Sequence, residues 1–532
     1  MKKRLSGLAD SLAAIDTIGA CFDIDASINY FHDVAPYSQT ATTQERFMDQ
    51  IDKAARRDRR LALCVLSLAM VMVGMDNSIV NVALPSIAKD FDAEVSELQW
   101  VVAGYVVVLG TLLLLSGSMA DRFGRRTVFQ LGLGLFLLGS LFCSLAPGLG
   151  WLVAARVLQA VGGSMLAPVT LSIIRHTFTD ARERASAIGV WGAAGGLSVA
   201  LGPVIGGILV GVFGWRAIFW VNIPIGLAAM VLAARFVVDS KAPHPRRVDP
   251  VGQILVITAV ATLIYAIIEA PGKGWNSTEI VTLFVVSLVS FVGLLIYEPR
   301  RRDPLLELRF FRSAAFSGAT GIALISFITL SGFLFLNTLY LQDSRGLSPL
   351  SAGLHTFPLA FSLAITSAIG GRIAGKFGAR IPFMLSGAGL ATAGLMLTGL
   401  TPTTPTWWLF LAYAIYGAGF GLQNPSTSIA AVTGMPPAQA GVAAAVASTA
   451  RQVGASLGIA IIGSMAASGF VGDDIPHQLA EATHPGWWTI FGIGIGIIVL
   501  GWVSTTAWAA RTAARAVAEL EEVVAVQAPT NV

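Results

Sequence analysis

Long apolar runs separated by short polar turns make up most of this chain from residue 61 onwards. A helix needs about 20 predominantly apolar residues to cross the hydrocarbon of a bilayer. Runs of that length fall at fourteen places: 61–87, 97–119, 127–147, 150–173, 186–212, 215–237, 249–270, 278–297, 314–341, 348–375, 381–400, 406–433, 438–468 and 485–510. The pattern predicts an all-α polytopic membrane protein whose even number of spans leaves both termini on one side. A charged cassette interrupts it twice. Gly117-Ser-Met-Ala-Asp-Arg-Phe-Gly-Arg-Arg126 closes span 2, and Gly371-Arg-Ile-Ala-Gly-Lys-Phe-Gly-Ala-Arg380 closes span 10, 254 positions later. Copies at matching places predict two related halves. The expected layout is an N-terminal extension (1–60), a first six-helix bundle (61–240), an inserted pair of helices (249–297), a second six-helix bundle (314–510) and a C-terminal tail (511–532).

Composition agrees with a lipid environment: 55% of residues are hydrophobic and 12% charged, with a mean hydropathy of +0.71. The isoelectric point near 9.0 comes from basic residues gathered in turns. On the cassette side the short loops and flanks carry 25 Lys and Arg, against four on the other, Lys89, Arg216, Lys273 and Arg345. That asymmetry predicts a cell-membrane protein with the cassettes and both termini in the cytoplasm, and it accounts for the charge without a nucleic-acid partner. Cys21, Cys64 and Cys143 are too scattered for a disulfide framework or a metal site. His244, His355 and His477 form no catalytic constellation, so an enzyme is not expected. Asp10 and Asp16 interrupt what would be a signal-peptide core after Lys2, Lys3 and Arg4, so no cleaved signal is expected. Leu5, Leu8, Leu12 and Ile15 fall at helical spacing, fitting either a short surface helix or an extension without fixed structure.

Two ionisable side chains, Asp76 and Arg156, stand inside apolar spans, where a charge is costly enough that function is the default reading. Asp76 lies nine residues before Pro85 on an outward-running span, and Arg156 six residues after Gly150 on an inward-running one. At ~1.5 Å per residue their depths differ by about 4 to 5 Å. A direct or water-bridged pair is therefore allowed. Such a pair can take and release a proton if its separation changes during transport; otherwise it pins spans 1 and 4 together.

The first cassette resembles the signature loop of the major facilitator superfamily, and four other segments resemble its fourteen-span drug:proton antiporter family. They are Asp76-Asn-Ser-Ile-Val-Asn-Val-Ala-Leu-Pro85, Arg156-Val-Leu-Gln159, Gly202-Pro203-Val-Ile-Gly206-Gly207 and Trp215-Arg-Ala-Ile-Phe-Trp-Val-Asn-Ile-Pro-Ile-Gly226. Ser78 stands where the family has Thr, and Ala160 and Ser198 where it has Gly. The resemblance implies the major facilitator fold and proton-coupled export of lipophilic or amphipathic compounds by alternating access. Asp76 and Arg156 would couple the proton. Asp121, Arg122, Gly124, Arg125 and Arg126 would form a latch between neighbouring helices favouring the outward-facing state, and Gly202, Pro203, Gly206 and Gly207 the antiporter motif, with Pro203 bending span 5.

Candidate cavity residues are Asn81, Gln159, Trp191 and Arg451, with Tyr413, Tyr416, Phe420 and Gln423, which share one helical face of span 12. Arg451 has no acid at comparable depth in its half, and carbonyl bonding, hydration and an anionic substrate group are its open alternatives. Glu269 is a candidate accessory acid. Gly370 to Phe377 imitates a phosphate loop, but Phe377 stands where Ser or Thr must meet magnesium. The energy source is therefore expected to be a proton gradient, with no cofactor or metal, in a monomer whose partners are protons, small lipophilic or amphipathic substrates and the bilayer. A dedicated exporter of one endogenous metabolite or lipid is the alternative within this fold, and a non-transporting membrane sensor the alternative outside it.

Overall fold

The computed structural model describes residues 37–242, 248–301, 304–433, 435, 439–467 and 480–527. The stretch from Leu5 to Ile15, together with Cys21, His244 and His477, lies outside them. The chain divides into two units, Met1–Asp58 and Arg59–Val532; the packing described below belongs to the second.

Each sequence-predicted span has a helix at its place: α1 (Tyr37–Phe91), α2 (Val95–Phe123), α3 (Arg125–Ser144), α4 (Leu149–Thr177), α5 (Ala181–Phe213), α6 (Ala217–Phe236), α7 (Pro250–Lys273), α8 (Thr278–Tyr297), α9 (Ala314–Leu339), α10 (Pro349–Phe377), α11 (Arg380–Leu397), α12 (Thr406–Val432), α13 (Ala440–Ala467) and α14 (His484–Ser504). Among the described residues, twelve are long and apolar enough to cross a membrane, and α5, bent by 44° between Ser198 and Leu201, makes thirteen. The expected fourteen is not reached on that measure. The exception is α12, whose 27 residues are long enough but whose C-terminal part carries Gln423, Asn424, Ser426, Thr427 and Ser428 around Pro425. Span 14 also ends early. Its helix stops at Ser504, and α15 (Ala507–Gln527) starts afresh, with Thr506 Oγ1 accepting from Ala509 N at 3.3 Å. The expected tail is thus helical to Gln527, with Ala509, Ala516 and Leu520 buried and Arg511 and Arg515 on its other face.

Local chemistry sets the boundaries. Asp180, Asp249, Ser277 and Ser313 cap the helices that follow them with side-chain oxygens that accept backbone N–H groups. Both cassette turns pivot on a glycine with positive φ, Gly124 at 113° and Gly378 at 80°. Pro203 provides no N–H and crowds the carbonyl four residues earlier, which accounts for the bend in α5.

Packing repeats between the halves. In the first, α4 lies on α2 and α3, and α6 on α3; in the second, α12 lies on α10 and α11, and α14 on α11. The bundles meet along two seams, α2 with α13 and α5 with α10, which the repeat interchanges. The inserted α7 lies along the first seam, touching both α2 and α13; Gln253 Nε2 donates to Thr111 O at 2.8 Å, and Trp100 Nε1 to Glu269 Oε1 at 2.9 Å. α8 turns Val285, Leu288 and Val289 away from the protein, as a lipid-facing helix does.

One end of the molecule is clasped. Gln99 Nε2 donates to Ile459 O at 2.8 Å, and Gln342 Nε2 donates to Val82 O at 2.8 Å. Gln342 sits in a π-helical turn, Tyr340–Ser344, that follows α9. These contacts lie at the end opposite the cassettes, called here the distal end. Along α5, positions 189, 192, 196, 203 and 207 form one face. At Pro203 and Gly207 that face meets the backbone of Gly353 and Pro349, whereas a side chain at Gly189, Gly192 or Gly196 would meet nothing within 4 Å. The α5–α10 seam therefore opens toward the cassette end.

Candidate functional site

Asp76 and Arg156 form a direct ion pair inside the first bundle, with Nη1 to Oδ2 at 2.5 Å and both side chains 0% exposed. Polar helix side chains converge on it. Gln159 Nε2 and Asn222 Nδ2 donate to Asp76 Oδ1 at 2.9 and 3.0 Å. Arg156 Nη1 donates to Gln159 Oε1 at 2.8 Å and its Nε to Val101 O at 3.2 Å, while the guanidinium lies 4.0 Å from the centre of the Tyr105 ring. Asn222 Nδ2 also donates to Ser140 Oγ at 3.0 Å. Every hydrogen bond to the carboxylate comes from a donor, so a proton on Asp76 weakens the charge that holds them. Desolvating two charges costs several kcal/mol each unless they are paired and hydrogen-bonded, and this network supplies both forms of compensation.

The network corrects one sequence expectation: Gln159 orients Asp76 and does not line a cavity. It also contains residues that sequence reasoning missed. Asn222 had a signal, as an amide in an apolar span. Tyr105 and Ser140 had none, because such residues are common in membrane helices.

The central space lies between the bundles. The larger of two adjoining cavities is lined by Asn77, Ser78, Asn81, Phe327, Ser331 and Ile459 among others. The smaller shares Ser78 and Asn81 and reaches Asn337 and Gln342 at the distal end. Asn81 therefore faces this space. Trp191 is half-buried, its Nε1 donating to Thr170 Oγ1 at 3.1 Å and linking α5 to α4. Glu269 stays near the distal end of α7, between Trp100 and Lys273.

The face of α12 is also corrected. Tyr413, Tyr416, Phe420 and Gln423 are 0–2% exposed and point into the second bundle. Phe333 stacks on Tyr416 at 4.5 Å and packs edge-on to Tyr413; Phe420 meets Phe327 at 5.3 Å. Tyr416 OH donates to Thr329 Oγ1 at 2.9 Å, and Tyr413 OH donates to Asn337 Oδ1. Gln423 Oε1 accepts from Ser326 Oγ at 2.7 Å. Helical periodicity identifies a face, but lipid, bundle core and cavity all accept aromatic side chains. Tyr416→Phe should thus cost about 1 kcal/mol of stability, seen as a lower melting temperature in detergent, with substrate affinity unchanged.

Around the first cassette, Arg125 Nη2 pairs with Asp121 Oδ1 at 3.0 Å. Asp239, absent from the sequence expectation, accepts from Arg126 N at 3.1 Å and lies 3.5 Å from Thr127 Oγ1; Arg125 Nη1 donates to Ser240 Oγ at 3.3 Å. The cassette thus ties the α2–α3 turn to the chain leaving α6. Arg122 stands apart, over the Phe123 ring at 5.8 Å. In the second cassette Arg380 lies over Trp502 of α14 at 4.6 Å, the same helix relation made without an acid. Asp239→Asn should weaken the first tie and speed tryptic cleavage within 237–242, which limited proteolysis reads directly.

Gly202 and Gly206 bring α5 against α1: a Cβ at Gly202 would lie 1.8 Å from Ser78 Oγ, and one at Gly206 2.6 Å from Ile79. Gly207 and Gly353 bring α5 against α10, with Cβ positions 2.5 Å from Pro349 O and 2.3 Å from Pro203 O. Two carbonyls therefore fill the space where side chains would project.

A family model described as Major Facilitator Superfamily matches residues 66–459. The chain belongs to the major facilitator superfamily. It is 34% identical over 429 residues to multidrug resistance protein Stp of Mycobacterium tuberculosis (strain CDC 1551 / Oshkosh), covering 81% of this chain and 80% of that protein. It is 33% identical to the tetracenomycin C resistance and export protein of Streptomyces glaucescens, covering 80% and 78%. Among solved structures, a D-xylose-proton symporter superposes with a TM-score of 0.60 at 14% identity, covering 83% of this chain and 97% of that one. A bacterial homologue of the lysosomal transporter Spinster gives 0.58 at 18% identity, covering 87% and 98%. Those two likenesses show the fold, while the family match and the long apolar helices show a multi-pass membrane protein of this superfamily.

Proposed function

We propose that this facilitator exports lipophilic or amphipathic compounds in exchange for protons, as a monomer in the cell membrane with fourteen spans and both termini cytoplasmic. The names of its relatives support drug export. The observation that carries proton coupling is the Asp76–Arg156 pair: a fully buried acid in a transporter core, held by donors from α4 and α6. With the basic cassette end facing the cytoplasm, the distal clasp closes the external side and the open α5–α10 seam admits substrate from within. Rocking of the bundles releases the clasp; proton uptake by Asp76 then loosens its donors and substrate leaves.

Binding of proton and substrate is coupled reciprocally. In proteoliposomes under an imposed pH gradient, substrate should drive a measurable proton flux and an uncoupler should collapse substrate accumulation. Accumulation that survives the uncoupler overturns proton coupling; the absence of any substrate movement overturns export.

A further inference from the structure

The charges around the central space are one-sided. Among the described residues Asp76 is the only carboxylate at mid-depth, and it faces into the first bundle with both oxygens accepting hydrogen bonds. Other described acids near the spans lie at helix ends or turns: Asp90 pairs with Arg216, Asp121 with Arg125 and Glu269 with Lys273, Asp249 and Glu298 flank the cassette ends of α7 and α8, and Asp343 stands in the distal turn beside Gln342. The cavity walls are neutral, with amides and hydroxyls from Ser78, Asn81, Ser331 and Asn337 beside apolar Phe327 and Leu334.

The charge aligned with this space is positive. Ala455 and Ile459 of α13 line the larger cavity, and Arg451 stands one turn before Ala455 on the same helical face, toward the cassette end. The residue as a whole is half-buried; among the described residues its side-chain hydrogen bond is to Ser428 Oγ at 3.3 Å, and no carboxylate lies within ion-pairing distance. Farther along the same route, the Arg175 guanidinium lies 3.0 Å from where a side chain at Gly441 would begin. A substrate entering from the cassette end therefore passes two guanidinium groups and, among the described cavity-lining residues, meets no acid.

We infer that Arg451 is the specificity-determining residue of the cavity and that the substrates are lipophilic acids, the anionic group pairing with Arg451 and the apolar body lying against Phe327 and Leu334. Lipophilic cations are disfavoured because their charge would be desolvated beside a guanidinium with no carboxylate to receive it. The inference rests on the export reading. Three probes with one apolar body separate the two: pyrenebutyrate, pyrenebutyramide and a pyrenebutyl trimethylammonium salt. Efflux is followed in proteoliposomes, and binding to the purified protein by pyrene fluorescence.

Expected are binding and efflux of the acid, weaker binding of the amide and none of the cation. Arg451→Gln should lower acid affinity by about ten-fold and leave the amide's affinity unchanged, and Arg451→Lys should restore part of the loss. Equal loss for acid and amide would mark Arg451 as structural and overturn the inference, as would binding of the cation as tightly as the acid. Efflux of the amide or cation without the acid overturns this inference while leaving export standing; failure of all three to bind or move removes both.

Discussion

Asp76→Asn is expected to abolish proton-driven efflux while leaving substrate binding in place. The substitution keeps the shape of the side chain and an oxygen that Gln159 or Asn222 can still donate to, but it removes the titrating group. It also leaves Arg156 charged and fully buried without its 2.5 Å partner. Breaking a buried pair from one side costs about 3–5 kcal/mol, enough to threaten folding on its own. A second variant therefore carries the test. Asp76→Asn combined with Arg156→Gln removes both charges together and retains hydrogen-bonding groups at both positions, so it should be more stable than the single variant. Both proteins should bind substrate and exchange it down its gradient, and neither should accumulate it against one. Efflux assays in everted vesicles with and without an uncoupler measure this. Retention of uncoupler-sensitive accumulation by the double variant removes Asp76 from the coupling mechanism.

The second large effect is expected at the distal clasp. In Gly207→Val, the new Cβ would lie 2.5 Å from Pro349 O. Its neighbour is backbone, which has no rotamer to yield, so α5 and α10 must separate. The distal end should then fail to close, and efflux should fall by about ten-fold or more, which corresponds to a shift of roughly 1.4 kcal/mol or more in the balance between the two states. A cysteine at Val82, buried beside the clasp, should become reactive to a membrane-impermeant thiol reagent from outside, in a background with Cys21 and Cys64 replaced by Ser. Gly196→Ala is the matched control, since nothing stands within 4 Å of its Cβ position. It should leave both readouts unchanged. A Gly207→Val protein that labels and transports like the parent shows that the close approach at this position is not needed for closure.

Much of the site was legible in the sequence for one reason: a charge or a cluster of small residues in an apolar span is conspicuous, because lipid makes it costly or makes it useful. Asp76, Arg156, the Gly202–Gly207 segment and both cassettes stood out on those grounds. Small neutral hydrogen-bonding residues carry no such mark. Ser140 and Tyr105 join Asn222 in the buried network, yet nothing in their spacing distinguishes them from the many Ser and Tyr residues elsewhere. Asp239 was hidden differently, because it becomes part of the cassette only when the chain returns from α6, more than a hundred residues after the turn it caps.

By itself the sequence determined what the bilayer tests directly: where apolar runs become helices, that the chain is built twice over with an insertion between, and which side chains bring a charge into lipid. Those properties follow from hydropathy and charge summed along the chain, so they need no knowledge of neighbours. Direction was decided only by the tertiary structure. It turned Gln159 and the α12 aromatics into bundle cores, drew Asp76 away from the central space, and set Asn81 against that space. Helical periodicity says which residues share a face, but only the packing of one helix against another says whether that face meets lipid, protein or an open cavity.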